Sequence, residues 1–306
     1  KSLRLKNGVQ ESRRKKMRSM QRTSLPKEPR RQNQQLPRTR LLQTINLHSK
    51  LMKTDNFLYS KIIILLLLLS PLSMQAQENS WMLGIGHLSQ LDTYLSTEHY
   101  RGFEARVLYE RVARKDSSAL SFTYTPHLFF GKTSPRSKSS TELSAMFEFS
   151  FGMHYNLQAA RNLLLAFGGQ ADVFVGGIYN NRNGNNPAQL HTGISVGPAV
   201  RASFDFNLWR QGFRLNYVVS APLVGMQFSP AYGQSYYEIF ARGNYDHNIC
   251  FASPFNAPSL KHRMTLDIKV KRSAIRVGYM GDYRQAKLNE IKYHHLTHSF
   301  IIGYVY

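Results

Sequence analysis

The sequence predicts an all-β fold, an antiparallel up-and-down transmembrane β-barrel of about ten strands preceded by a signal peptide. Three observations lead there. Ten segments alternate apolar and polar residues with the period of two that a strand imposes. The connections between them run short, long, short, long. A secretory-type segment precedes them all.

The chain has 306 residues and a formal net charge of +22. The charge is unevenly spread. Residues 1–61 hold 17 Lys/Arg against 3 Asp/Glu, and the remainder holds 23 against 15. The basic excess therefore belongs mostly to a leader and gives no nucleic-acid footprint for the rest. Residues 1–51 lack apolar periodicity, are densest in charge at Arg13-Arg14-Lys15-Lys16, and read as disordered. Met52 opens a new start, so residues 1–51 are expected to be translated upstream sequence. From Met52 to Ala76 the order is that of a signal peptide. Lys53 and Lys61 come first, then the apolar run Ile62–Leu69, then Pro71 and the small Ala76. The run is well short of the ~20 residues that span a bilayer. Cleavage is expected near Ala76, which leaves residues 77–306 as one barrel domain.

The alternating segments cover 81–91, 101–112, 117–129, 140–156, 162–179, 189–207, 212–222, 259–270, 273–284 and 293–306. In the fourth, Leu143, Ala145, Phe147, Phe149, Phe151, Met153 and Tyr155 share one face. Glu142, Ser144, Met146, Glu148, Ser150, Gly152 and His154 share the other. The sixth, eighth and ninth repeat the pattern. A helix would scramble these faces. The last segment places Phe300, Tyr304 and Tyr306 on one face, as a terminal aromatic girdle.

Short connections are expected near 113–117, 156–161, 208–211 and 271–272. Long ones are expected near 92–100, 130–139, 180–190, 221–259 and 284–292. Tight turns on one side, longer loops on the other and an even strand number suit an outer-membrane barrel. A soluble sandwich or lipocalin-like barrel is the alternative. Alternation cannot tell it apart, because it is blind to which face meets the core.

With the apolar faces toward lipid, Glu104, Arg106, Glu110, Glu148, Asp172, Arg201, Asp205, Arg214, Arg263, Asp267, Lys269, Arg276 and Asp282 point inward. Acids and bases nearly balance, and buried charges must pair. An Arg–carboxylate ladder filling the bore is expected, with a selectivity-lining pore as the competing use. The loop 221–259 carries Tyr232, Tyr236, Tyr237, Phe240 and Tyr245. It is expected to fold on itself near 236–240 as a plug, a lid or a binding surface.

No specific chemistry emerges. Cys250 is the single cysteine, so no disulfide forms within the chain. His294, His295 and His298 put only two rings on one face, short of a metal site. No phosphate loop or dinucleotide fingerprint occurs, and no cofactor is expected. An enzyme would need a histidine and an acid meeting at the rim, with His127 or His154 as candidates. Expected partners are outer-membrane lipid and, through the last strand, the barrel-assembly machinery, with no nucleic acid. The barrel is expected to be a monomer.

Asp92-Thr93-Tyr94-Leu95-Ser96, Tyr100-Arg101-Gly102, Ser235-Tyr236-Tyr237-Glu238-Ile239-Phe240 and His298-Ser299-Phe300-Ile301-Ile302-Gly303 resemble an uncharacterised family of Bacteroidetes outer-membrane barrel proteins. The resemblance spans roughly residues 77–306. It implies a barrel in a Gram-negative envelope, with no assigned activity and no catalytic residues to carry over. The expected role is structural or surface-binding. The alternatives are a small passive or gated pore, or an outer-membrane enzyme with a rim active site.

Overall fold

The computed structural model describes residues 76–114 and 118–306. The segments read as a basic leader and as residues 52–75 of the signal peptide lie outside the described residues. Twelve strands run in chain order: β1 (Ala76–Asp92), β2 (Tyr100–Arg114), β3 (Leu120–Pro135), β4 (Glu142–Ala160), β5 (Leu163–Asn180), β6 (Ala188–Leu208), β7 (Gln211–Ser220), β8 (Val224–Phe228), β9 (Ile249–Ala252), β10 (Ser259–Val270), β11 (Ser273–Leu288) and β12 (Ile291–Val305). One five-residue helix, α1 (Tyr236–Phe240), lies between β8 and β9. Every strand pairing is antiparallel, and β1 pairs with both β2 and β12. The further pairing of β5 with β6 closes the sheet.

Closure leaves no free edge around the ring, which is the condition for a sheet to sit in lipid. The register fixes its geometry. One row of paired residues runs Phe103, Lys132, Leu143, Tyr179, Ala188. The other way round it runs Phe103, His87, His298, Gly281, His262, Val219, Val200. The row returns to β6 displaced from Ala188 to Val200, a shear of 12 residues. For ten strands at the usual rise and spacing, that shear tilts them by about 40°.

The two faces separate by chemistry. Leu143, Phe147, Met153, Tyr155, Val173, Val175, Ile194 and Val196 are half-exposed on the outside. Glu142, Glu148, His154 and Asp172, from the same strands, are buried inside. From Leu143 to Tyr155 the apolar series on tilted β4 climbs roughly 30 Å, a bilayer's hydrocarbon thickness. An aromatic girdle sits low on this wall. Trp81 packs on Tyr109 with ring centroids 5.0 Å apart, and Tyr304 stacks on Tyr306. Phe300, Tyr304 and Tyr306 all face outward. Tyr306 also exchanges two 2.9 Å backbone hydrogen bonds with Asn79, which ties the two ends of the chain's barrel together.

Two expected connections are corrected. The segment 221–259 is not one long loop. Past β7 the chain keeps bonding to β6, with Ala221 N donating to Pro198 O (3.2 Å) and Leu223 N to Val196 O (3.0 Å). It then continues as β8, so β7 and β8 form one strand bulged at Pro222. Gly197 makes room for the bulge, since a Cβ there would come within 2.0 Å of Ala221 O. β9 and β10 likewise form one strand interrupted at 253–258, leaving a loop of 229–248. Proline and apolar runs disguised this continuation, because a bulge resets the alternation by one residue. The second correction is at 284–292. β11 and β12 extend and meet in a two-residue turn, Asn289-Glu290, both with positive φ (50° and 63°). That is the primed geometry that matches strand twist.

Candidate functional site

The bore is filled with charge from the end that carries the short turns, here the turn end, toward the loop end. At the turn end, Arg214 bonds Glu78 and Asp205, each at 3.1 Å, and Lys269 reaches Asp205 at 2.6 Å. Glu78, Asp205 and Arg214 line a vestibule of about 260 Å³ with Arg114 and Arg201. The next layer centres on Glu110 of β2. It takes Arg201 of β6 at 3.1 Å, Arg276 of β11 at 3.6 Å and Arg263 of β10 in closer contact. Arg276 also pairs with Asp267 at 2.6 Å. β6 and β10 stand four strands from β2 in opposite directions round the ring. These bonds therefore cross the bore.

Above lies a second crossing. Glu148 of β4 receives Lys261 of β10 at 2.6 Å and Arg284 of β11 at 2.9 Å. Asp172 takes Lys261 at 3.3 Å, and Asp282 takes Arg284 at 2.8 Å. Arg106 pairs with Glu104 and donates to Thr297 Oγ1 at 2.7 Å. The void between the two crossings, lined by Glu110, His127, Glu148, Arg201 and Lys261, measures only about 60 Å³. That is room for a few waters.

The loop end is shut by apolar packing. Leu95 from the β1–β2 connection turns in against Ile178, Ala252, Ala257, Ala286, Leu288 and Tyr293. Below it, His191 Nε2 sits 2.8 Å from Asp92 Oδ2 and stacks on Tyr293 with centroids 4.0 Å apart. Both partners are buried. Beside them Glu142 accepts from Gln90 (2.8 Å) and Asn180 (3.1 Å).

Loop 229–248 leans on this rim. Ser235 and Glu238 form a reciprocal cap at the start of α1. The Ser235 hydroxyl accepts the Glu238 amide (3.2 Å), and the Glu238 carboxylate accepts the Ser235 amide (2.7 Å). These bonds hold the Glu238 carboxyl below its ordinary pKa. Tyr236 turns inward, accepting from Leu190 N–H (2.7 Å) and donating to Gln189 (2.8 Å). Tyr94 of the first loop meets it edge-on and donates to Gln234 O (3.0 Å). Burial, with the Asp92 and Glu238 carboxylates nearby, pushes the Tyr94 phenol up to about 12. Tyr232, Tyr237, Phe240 and Tyr245 remain exposed at the tip, Tyr232 by 77% and Tyr245 by 63%.

All thirteen charges expected on the inner face are there, with Asp205, Arg214 and Lys269 only partly covered at the turn end. Sequence reasoning missed Glu78, Lys261 and Arg284, which complete the pairs. Lys261 and Arg284 share the parity of Arg263 and Asp282, so alternation alone could have found them. It also missed His191 with Asp92. The two candidate rim histidines are not at the rim, since His127 and His154 are buried within the bore. Cys250 donates to the backbone carbonyl of His247, at 3.4 Å, and packs against the apolar cluster around Leu95. Among the described residues no cluster of His, Cys, Asp and Glu could hold a metal ion.

Residues 62–306 match the family described as protein of unknown function (DUF3316). The chain belongs to this family. A comparison of the DUF3316 chain with curated proteins gave no match. Its structure is similar to that of the outer membrane protease OmpT from Escherichia coli, with 7% identity over 76% of this chain and 97% of that one and a TM-score of 0.43. It is also similar to the transport unit of the autotransporter AIDA-I from Escherichia coli (9% identity, 77% and 92% coverage, TM-score 0.38). Neisserial surface protein A shares 9% identity over 76% and 98% of the two chains, with a TM-score of 0.34. At these values the likeness carries nothing about the activity of the DUF3316 barrel.

Proposed function

We propose that this DUF3316 protein is an outer-membrane barrel that does not conduct, and that it works at the cell surface through loop 229–248. The observation that carries this reading is the three-arginine grip on Glu110 across the bore. A pore must leave its charges free to meet ions. Here the arginines are spent on a carboxylate, and the apolar cluster around Leu95 lies across the mouth above them.

In this reading residues 52–76 are a signal peptide and 77–306 the mature barrel. The turn end faces the periplasm and the loop end the outside. The lipid of the outer membrane covers the apolar wall, and the barrel-assembly machinery engages β12. The motif resemblance points to a Bacteroidetes envelope.

Surface display is tested with an epitope inserted after Gly243, read by antibody on intact cells. The expected result is labelling there and none for the same epitope between Arg161 and Asn162. Labelling of the second site on intact cells, or loss of both from the outer-membrane fraction, would overturn the reading.

An enzymatic reading has one observation in its favour, the Asp92–His191 pair near the rim. Its burial beneath Leu95 and Tyr293 leaves a substrate no approach in this conformation.

A further inference from the structure

One patch of the lipid-facing wall is polar. His262 of β10, Tyr279 and Tyr283 of β11 and His298 of β12 all point outward and bond to each other. Tyr279 Oη lies 2.6 Å from His298 Nδ1 and 3.0 Å from Tyr283 Oη. Tyr283 Oη lies 3.4 Å from His262 Nε2. The rings converge over Gly281, which pairs with His262 on one side and His298 on the other. A Cβ at Gly281 would stand 2.5 Å from His262 Nε2 and 2.7 Å from Tyr283 Oη, so only glycine lets the rings lie flat on the sheet.

Depth makes the patch costly. On β12 the outward series runs from Lys292 at the loop end to Tyr304 in the aromatic girdle, and His298 stands midway. Six tilted residues in either direction come to roughly 15 Å. That puts His298 near the centre of a hydrocarbon layer about 30 Å thick, beyond reach of water or headgroups. His298 Nε2 and His262 Nδ1 have no hydrogen-bond partner among the described residues. Acyl chains offer them none, and a bare polar group in hydrocarbon is unfavourable by a few kcal/mol. The opposite wall, with Phe147, Val173, Val175 and Ile194, shows no such habit.

We propose that this wall is the face through which two copies of the chain pair within the membrane, a proposal that rests on the outer-membrane reading above. The patch complements itself. Its three internal bonds use three of the four phenol and imidazole protons, so of His262 Nδ1 and His298 Nε2 one is a free N–H donor and the other a free acceptor, and a two-fold axis lets each meet its complement on the other copy. The flat surface at Gly281 permits close approach. Exposed Ile85, Met264 and Phe300 surround it with apolar area to bury. His87, paired in register with His298, adds one more exposed imidazole at the patch edge.

The test uses the full chain expressed in a Gram-negative host and extracted from its outer membrane. Native mass spectrometry of the wild type should give a dimer. The double variant Tyr279→Phe/His298→Leu should give a folded, heat-modifiable monomer, its dimer affinity weakened by about tenfold or more. In a Cys250→Ser background, Phe300→Cys should cross-link between copies with a short bis-maleimide in intact membranes, and Phe147→Cys should not. A membrane-inserted wild type that stays monomeric, a double variant that stays dimeric, or cross-linking through Phe147→Cys would each overturn the proposal. A chain that never inserts would instead sink the membrane reading itself.

Discussion

Glu110 shows what a single residue does here. Its carboxylate is buried and faces three guanidiniums. Removing a buried charge strands its partners, typically at about 3–5 kcal/mol. Glu110→Gln should therefore lower the unfolding free energy in lipid, measured by urea titration, by an amount of that order. Tyr245→Ala, on the exposed loop tip, should change it by no more than about 0.5 kcal/mol. The inner position of Glu110 was legible in the sequence from its parity with Glu104 and Arg106 on β2, opposite Phe103, Ala105, Val107 and Tyr109. Its partners were legible only as types, since which arginine crosses to which acid depends on the shear. A second prediction concerns Glu238. Its carboxyl is held low by the Ser235 amide and hydroxyl. A depressed folded pKa contributes stability above the unfolded value and loses it as pH falls through the folded one. Amide-exchange protection over 236–240 should thus weaken in acid, and Glu238→Gln should flatten that dependence. Ser235→Ala should reduce the protection at neutral pH by about 1 kcal/mol.

At the scale of elements, the β11–β12 hairpin is the clearest case of a reading corrected. Charged and polar residues from Arg284 to Lys292 look like a loop, yet the chain stays in register to Asn289-Glu290. Glu290 adopts a left-handed conformation that costs an ordinary residue about 1 kcal/mol or more. Its ion pair with Lys287 is exposed and offsets little of that. Glu290→Gly should therefore raise stability by up to about 1 kcal/mol, measured by denaturant titration. Extension of this hairpin is also what brings Arg284 into the bore and Leu288 into the mouth. The bulge at Pro222 hid β8 for a related reason, since the apolar parity of β7 does not continue through it. Alternation reports strands well where they are regular and fails where a bulge shifts the phase by one.

For the whole molecule, alternation left open which face meets lipid. The folded chain separates them, with charges cross-linked inside and a half-exposed apolar wall outside. The mouth was the least legible part, because Leu95, Ile178, Ala257 and Leu288 come from four separate connections or strand ends. The polar patch of His262, Tyr279, Tyr283 and His298 was equally hidden. Its residues fall on outward positions of three strands and meet only through register. The central claim is that the bore is closed by its own charges, and planar-bilayer recording of the purified, membrane-inserted barrel tests it most directly. Electrical silence is expected at moderate voltage, with heat-modifiable mobility verifying insertion. Steady unitary current steps that change selectivity in Arg201→Gln or Arg276→Gln would contradict it and make the charges a filter.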